Sequence, residues 1–178
     1  MEEDQSKIIY ETILNFKNKD ESLVLNSIRQ LSKIVEILGT DRTVLELLPY
    51  LRELLNENSV IVSSLLASLS SLNMDYSTRS LRPDNKETYN AVSYYFEEAS
   101  AFQERLLRQQ AIQCLNTFMG KSANNGFKLN VLAMLGRMKS SNNGEKKMAV
   151  SKLLHRAAEI CKTNDDLFKS VPSIHSGA

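Results

Sequence analysis

Apolar residues recur at three- and four-residue steps along most of the chain, the spacing that gathers them on one face of an α-helix. Ile8, Ile9, Ile13, Leu14 and Phe16 mark a short first helix. Asn18-Lys19-Asp20-Glu21 interrupts it with residues that favour turns and helix caps. Leu23, Leu25, Ile28, Leu31, Ile34, Val35 and Leu38 then predict one continuous amphipathic helix, and Gly39 stands where a C-terminal glycine ends it. The next helix opens at Thr40 or Asp41 and runs through LELLPYLRELL. Pro49 lies inside it, and its missing N–H predicts a bend. Asn56-Glu57-Asn58 closes that helix, and a serine-rich apolar helix follows from about Ser59 to Leu72.

The stretch from Asn73 to Lys86 is polar, holds Pro83 and has no period, so it reads as a connecting loop. Helical text resumes near Glu87, with Val92, Tyr95, Phe96 and Ala99 on one helix and Leu106, Leu107, Ala111, Ile112, Leu115 and Phe118 on another. Gly120 to Gly126 forms a turn; Phe127, Leu129, Val131, Leu132, Met134 and Leu135 continue as helix. Ser140-Ser141-Asn142-Asn143-Gly144 is a further break, and Met148 to Ile160 gives the last full helix. Thr163 to Val171 has the start of one more, and 172–178 reads as a frayed tail.

These helices fall into pairs, and the second member of each pair carries a small or apolar residue followed four positions later by leucine. The sites are Ser27/Leu31, Leu65/Leu69, Ala111/Leu115 and Ala149/Leu153, spaced by 38, 46 and 38 residues. HEAT and armadillo repeats have a period of roughly 40–47 residues. One helical hairpin cannot hide its own apolar face, whereas hairpins stacked side by side bury a continuous core. The expectation is therefore an all-α chain, an α-solenoid (alpha-alpha superhelix) of about four HEAT-type hairpins. They span approximately 6–38, 40–72, 87–119 and 125–161, with a partial fifth over 163–171 and the inter-repeat loop at 73–86. A compact helical bundle with accidental spacing is the competing architecture.

Composition narrows the function. With 6 glycines and 3 prolines the chain lacks the turn residues of an all-β fold. Its 22 basic and 21 acidic side chains leave a formal net charge of +1, which supplies no bulk attraction to nucleic acid or an anionic membrane. Cys114 and Cys161 sit in apolar helical text outside any metal-ligand pattern and read as reduced, buried thiols. No apolar run reaches the roughly 18 residues that span a bilayer, and the acidic N-terminus lacks a signal-peptide stretch. The expected compartment is the cytoplasm, with the nucleus also compatible.

The text LNSIRQLSKIVEILGTDRTVLELLPYL, Leu25 to Leu51, adds a specific resemblance. Asn26-Ser27-Ile28, Leu38-Gly39, Arg42-Thr43 and Glu46-Leu47-Leu48-Pro49 are similar, in register, to the first and second repeats of the scaffold-subunit family of protein phosphatase 2A. Glu104, Leu106-Leu107-Arg108 and Ala111 resemble the start of the second helix of that family's third repeat. Beyond these stretches the likeness is one of pattern, and it reaches about Val171. The family is a longer solenoid without catalytic activity. It carries a catalytic subunit on its C-terminal repeats and a regulatory subunit on its N-terminal ones, through the short loops inside each hairpin. The resemblance thus implies a scaffold that could meet a regulatory (B-type) subunit and lacks the catalytic-subunit surface, the chain stopping early in a fifth repeat.

Carried over position by position, the resemblance nominates Asn18 and Asp20 in the first loop, Glu57 in the second, Gln103 and Glu104 in the third, and Asn142, Asn143 and Lys147 at the fourth. In the third loop only Glu104 keeps the acidic character of the family. Asn142-Asn143 replaces an Asp-Trp contact pair, this chain has no tryptophan, and Lys147 stands where the family has arginine. These departures keep a second reading open, a stand-alone helical-repeat adaptor with unrelated protein partners; a third is a truncated product with little function.

Residues able to do chemistry are sparse. His155 and His175 have no ligand-type neighbours at metal spacing, and nucleophile-elbow, P-loop, dinucleotide and zinc-protease motifs are missing. Glu97-Glu98 points two ways from one helix and reads as a solvated face. Tyr94-Tyr95-Phe96 reads as hairpin core rather than a base-stacking platform, and Arg79, Arg82 and Lys86 as a solvated linker. The sequence therefore predicts no enzyme, no cofactor and no metal.

Overall fold

Helix forms wherever the three- and four-residue spacing holds. The computed structural model describes residues 2–72, 85–121 and 125–162, and among them there is no strand. They divide between two compact units, one within residues 1–75 and the other within 76–178.

In the first unit α1 (Glu2–Asn15) leads through a short turn into α2 (Glu21–Arg29) and α3 (Leu31–Arg42). Asp20 starts α2 by accepting the Ser22 N–H at 2.9 Å, which satisfies one of the donors that a helix start leaves open. The single helix expected from Leu23 to Leu38 is instead broken at Gln30. There the backbone leaves the helical basin (φ −90°, ψ 1°) and the Gln30 N–H folds back to the Ser27 carbonyl at 3.1 Å. Helical bonding resumes with Ile34 N–H to Gln30 O, so apolar period alone carries no trace of the break.

Gly39 ends the helix as expected. Its φ of 77° and ψ of 167° lie where essentially only glycine is comfortable. The following helix, expected to bend at Pro49, does so by changing its winding. Residues Thr43–Leu47 form a π-helical turn, with Leu48 N–H bonded to the Thr43 carbonyl five residues back. Then come α4 (Leu48–Leu51) and a 3₁₀ segment, Arg52–Asn56. The proline ring would press on the carbonyl four residues earlier in a regular helix, and the wider turn before it relieves that clash. Asn58 then caps α5 (Ser59–Ser70), its Oδ1 accepting the N–H groups of Val60 and Ile61.

In this unit α1 packs on α2, α5 packs on the 3₁₀ segment, and the second helices α2 and α5 lie against each other. Their shared face holds Ile28, Leu65 and Leu66, all fully buried. Each such side chain contributes about 1.5–3 kcal/mol by leaving water.

The second unit is regular: α6 (Asn85–Ala99), α7 (Arg105–Gly120), α8 (Asn125–Ser140) and α9 (Gly144–Cys161). Helix α6 packs on α7 and α8 on α9; across the two hairpins, α6 packs on α8 and α7 on α9. First helix thus meets first, and second meets second. Tyr89, Tyr95, Phe96 and Phe118 fill the interior, as the aromatic run had suggested. The Phe118 ring lies 4.7 Å from Tyr89 and 5.7 Å from Phe96, in tilted arrangements that suit the ring quadrupoles.

Asn85 and Lys86, expected to end the connecting loop, are instead the first residues of α6; 73–84 lies outside the described residues. So do the partial repeat at 163–171, the tail at 172–178, and His175, Arg79 and Arg82. Among the described residues no helix is long and apolar enough to cross a membrane. Cys114 and Cys161 are buried and reduced.

Candidate functional site

Each unit brings its two intra-hairpin loops together at one edge, by different side chains. In the first unit, residues 16–20 and 57–58 flank a groove of about 430 Å³. Its floor is Phe16, Val24, Leu54 and Ile61, and its rim is charged or polar: Lys17, Asn18, Lys19, Glu21, Glu53, Glu57 and Asn58. Asn58 Nδ2 donates to Glu21 Oε2 at 2.8 Å, which fastens the second loop to the first turn of α2. Lys17 Nζ meets Glu53 Oε2 at 2.9 Å and lies 4.5 Å from the centre of the Tyr50 ring. The hydrogen bond to Glu53 raises the Lys17 ammonium above its ordinary value, against a smaller opposing effect of desolvation. Both partners are well exposed, so water screens the pair and its net worth is small.

Of the residues the sequence nominates here, Asn18 and Glu57 line the groove. Asp20 has a structural task. Its carboxylate accepts the Ser22 hydroxyl at 2.6 Å and the Ser22 N–H, and these bonds hold it below the usual carboxylate range. Asn18 Oδ1 accepts the Asp20 N–H at 2.9 Å, so the first loop is braced from within.

In the second unit Arg108 ties the loops. Its Nη1 donates to the carbonyls of Phe102 and Gln103 at 2.7 and 2.6 Å, while its Nε pairs with Glu145 Oε2 at 3.3 Å. The Glu145 N–H in turn donates to Asn143 Oδ1, the cap of α9. A second tie runs from Lys146 Nζ to Glu98 Oε1 at 2.7 Å. Gln103, Glu104, Asn142, Asn143 and Lys147 are all exposed. Glu104 occupies the cap position of α7 but makes no side-chain capping bond.

Glu97 and Glu98 do diverge, as adjacent helical residues must, yet the solvated-face reading does not hold for Glu97. Its side chain is only 12% exposed, accepts the Ser93 hydroxyl at 3.2 Å and pairs with Arg137 on α8 at 3.3 Å. His155 is an exposed helical residue, 3.3 Å from Glu159 one turn away. Among the described residues no group of three or more His, Cys, Asp or Glu is placed to hold a metal ion.

Asn58 and Arg108 were missed as site-forming residues. Asn58 carried the signal of a cap before an apolar run, but nothing in the sequence tells that its amide also reaches Glu21. Arg108 stood in the LLR text of the resemblance, without a local sign that it would bridge two loops. Neither a protein-family model nor a curated protein matches this chain.

Proposed function

We propose that this chain is a non-catalytic protein-binding scaffold of HEAT-type hairpins, akin to the N-terminal repeats of the protein phosphatase 2A scaffold subunit, that meets a phosphatase regulatory subunit through its intra-hairpin loops. The observation that carries the reading is the packing of α6 on α8 and α7 on α9, with both loops tied at one edge by Arg108–Glu145 and Lys146–Glu98. Stacked repeats need this pairing, because each hairpin then offers its neighbour a like face. A consecutive up-and-down bundle would instead set α7 against α8. The dense match from Leu25 to Leu51 supplies the specific kinship.

In this reading Asn18, Glu57, Gln103, Glu104, Asn142 and Lys147 present exposed polar groups to the partner, while Asp20 and Asn143 hold the loops in shape through their helix caps. A rigidly braced loop loses little conformational freedom on binding, which favours affinity.

The second reading, an adaptor with unrelated partners, is favoured by one specific feature. Asn142-Asn143 replaces the Asp-Trp pair, Asn143 is spent on the α9 cap, and the chain has no tryptophan to act as an interface anchor. Affinity capture from lysate by the purified, folded chain, read by mass spectrometry, separates the two. Phosphatase regulatory subunits among the captured proteins are expected. Their absence, with crosslinks only to other proteins, would move the assignment to the adaptor.

A further inference from the structure

Opposite the loop edge of the second unit, where α7 ends against the second half of α9, lies an open groove of about 490 Å³. Asn116, Thr117, Gly120 and Lys121 form one wall, and Lys152, His155, Arg156 and Glu159 form the other. The second set recurs at steps of three and four, so it is one face of α9. No apolar side chain lines the groove, which disfavours a lipid or an apolar peptide anchor. No aromatic ring lines it, which leaves a nucleobase without a stacking surface.

Charge is concentrated here. Lys121, Lys152 and Arg156 face a single carboxylate, Glu159, so with His155 counted neutral the groove holds a net +2, against +1 for the whole chain. Arg156 pairs with Glu159 at 3.0 Å. Its guanidinium lies directly on Gly120, where a Cβ would collide with it, so the groove keeps its depth only with glycine at that position. The last turn of α7 ends beside these cations, and a helix C-terminus carries about half a negative charge. That offsets only part of the excess, roughly a quarter, so the cations are not accounted for as partners of the helix end alone. Burial also draws the Lys121 ammonium below its ordinary value, and a partly dehydrated cation gains more from an anion than a solvated one does.

We propose that this groove is a binding site for a phosphomonoester carried on a protein segment, a phosphoserine or phosphothreonine with its flanking backbone. A phosphoryl group at neutral pH carries about −1.5 to −2 charges and several acceptor oxygens, which complements two lysines, an arginine and the Thr117 hydroxyl. The space exceeds what one phosphate fills, which leaves room for the chain that bears it. The groove lies about 20 Å along α7 from the loop edge, so this inference stands or falls independently of the scaffold reading.

The test is a ¹⁵N-NMR titration of the full chain with a short Ala-Gly-phosphoserine-Gly-Ala peptide, its unphosphorylated parent and inorganic phosphate. Saturable shifts are expected at the amides of Thr117, Gly120, Lys121 and Lys152 to Glu159, with at least tenfold weaker binding of the parent peptide. The double variant Lys152→Gln/Arg156→Gln should lose at least tenfold in affinity and Lys121→Gln a smaller factor, whereas Lys33→Gln on α3 should lose none; circular dichroism checks that each variant is folded. Equal binding of the parent peptide, shifts centred elsewhere, or full affinity in the folded double variant would overturn the site. Inorganic phosphate binding as tightly as the phosphopeptide would overturn the assignment to a protein segment.

Discussion

The two units build the same device, paired loops at one edge, from different materials. In the first, an aliphatic core of leucine, isoleucine and valine tolerates an irregular backbone: a break at Gln30, a left-handed Gly39, a π turn and a 3₁₀ segment. In the second, four uninterrupted helices close on interlocked aromatic rings. The loop ties differ in the same sense. Lys17–Glu53 is exposed on both sides, whereas Arg108 and Lys146 are each about four-fifths covered. Aliphatic side chains can repack around a distorted turn, since no ring geometry must be kept. Large rings fix the separation and tilt of the helices that carry them, and so demand regular ones.

The largest effect that tests this contrast is expected at Phe118. Phe118→Ala removes the ring that contacts both Tyr89 and Phe96 and should cost about 3–5 kcal/mol, seen as lost hydrogen-exchange protection in α6 to α9. A loss below about 1 kcal/mol would mean that the aromatic cluster does not organise this unit. Next is Gly39→Ala. Nothing lies within 4 Å of the added Cβ, so the whole cost is backbone strain, about 1–3 kcal/mol by chemical denaturation. A neutral result would show that the Gly39 conformation is not required.

Helix caps sharpen the comparison further. Asn58→Ala removes two capping bonds and the tie to Glu21 and should lower stability by about 1 kcal/mol. Glu104→Asn runs the other way. It supplies the cap that α7 lacks and should raise stability by about 0.5–1 kcal/mol in the same denaturation assay. The smallest effect concerns pH. Asp20 is held below its ordinary value of 3.8, so its contribution is complete above that value and is lost as the pH falls through the depressed folded value. Asp20→Asn keeps a capping oxygen that does not titrate. The melting difference between it and the parent chain should therefore shrink as the pH drops from about 6 to about 2.

Much of the helical fold was legible because the apolar period and the caps agree. Gly39, Asn58 and Asn143 each stand where a terminus was expected, and Tyr95 and Phe96 are core as read. The break at Gln30 was not legible, because Leu31 and Ile34 keep the helical period across it. Pro49 announced a bend, but the period does not say whether a proline is met by a kink or by a widened turn. At the loop edge, Asn18 and Glu57 were found through their position between helices. The ties through Asn58, Arg108 and Lys146 depend on which loops become neighbours, and that is settled by tertiary packing rather than by local text. Glu97 was misjudged for the same reason: its partner Arg137 is 40 residues away.

The measurement that bears most directly on the central claim is the affinity of the purified chain for a purified phosphatase 2A regulatory subunit, by calorimetry, beside a folded variant carrying Glu57→Lys and Glu104→Lys. The account predicts saturable one-to-one binding by the parent chain and at least tenfold weaker binding by the variant. No binding by the folded parent chain, or equal binding by both, would contradict it.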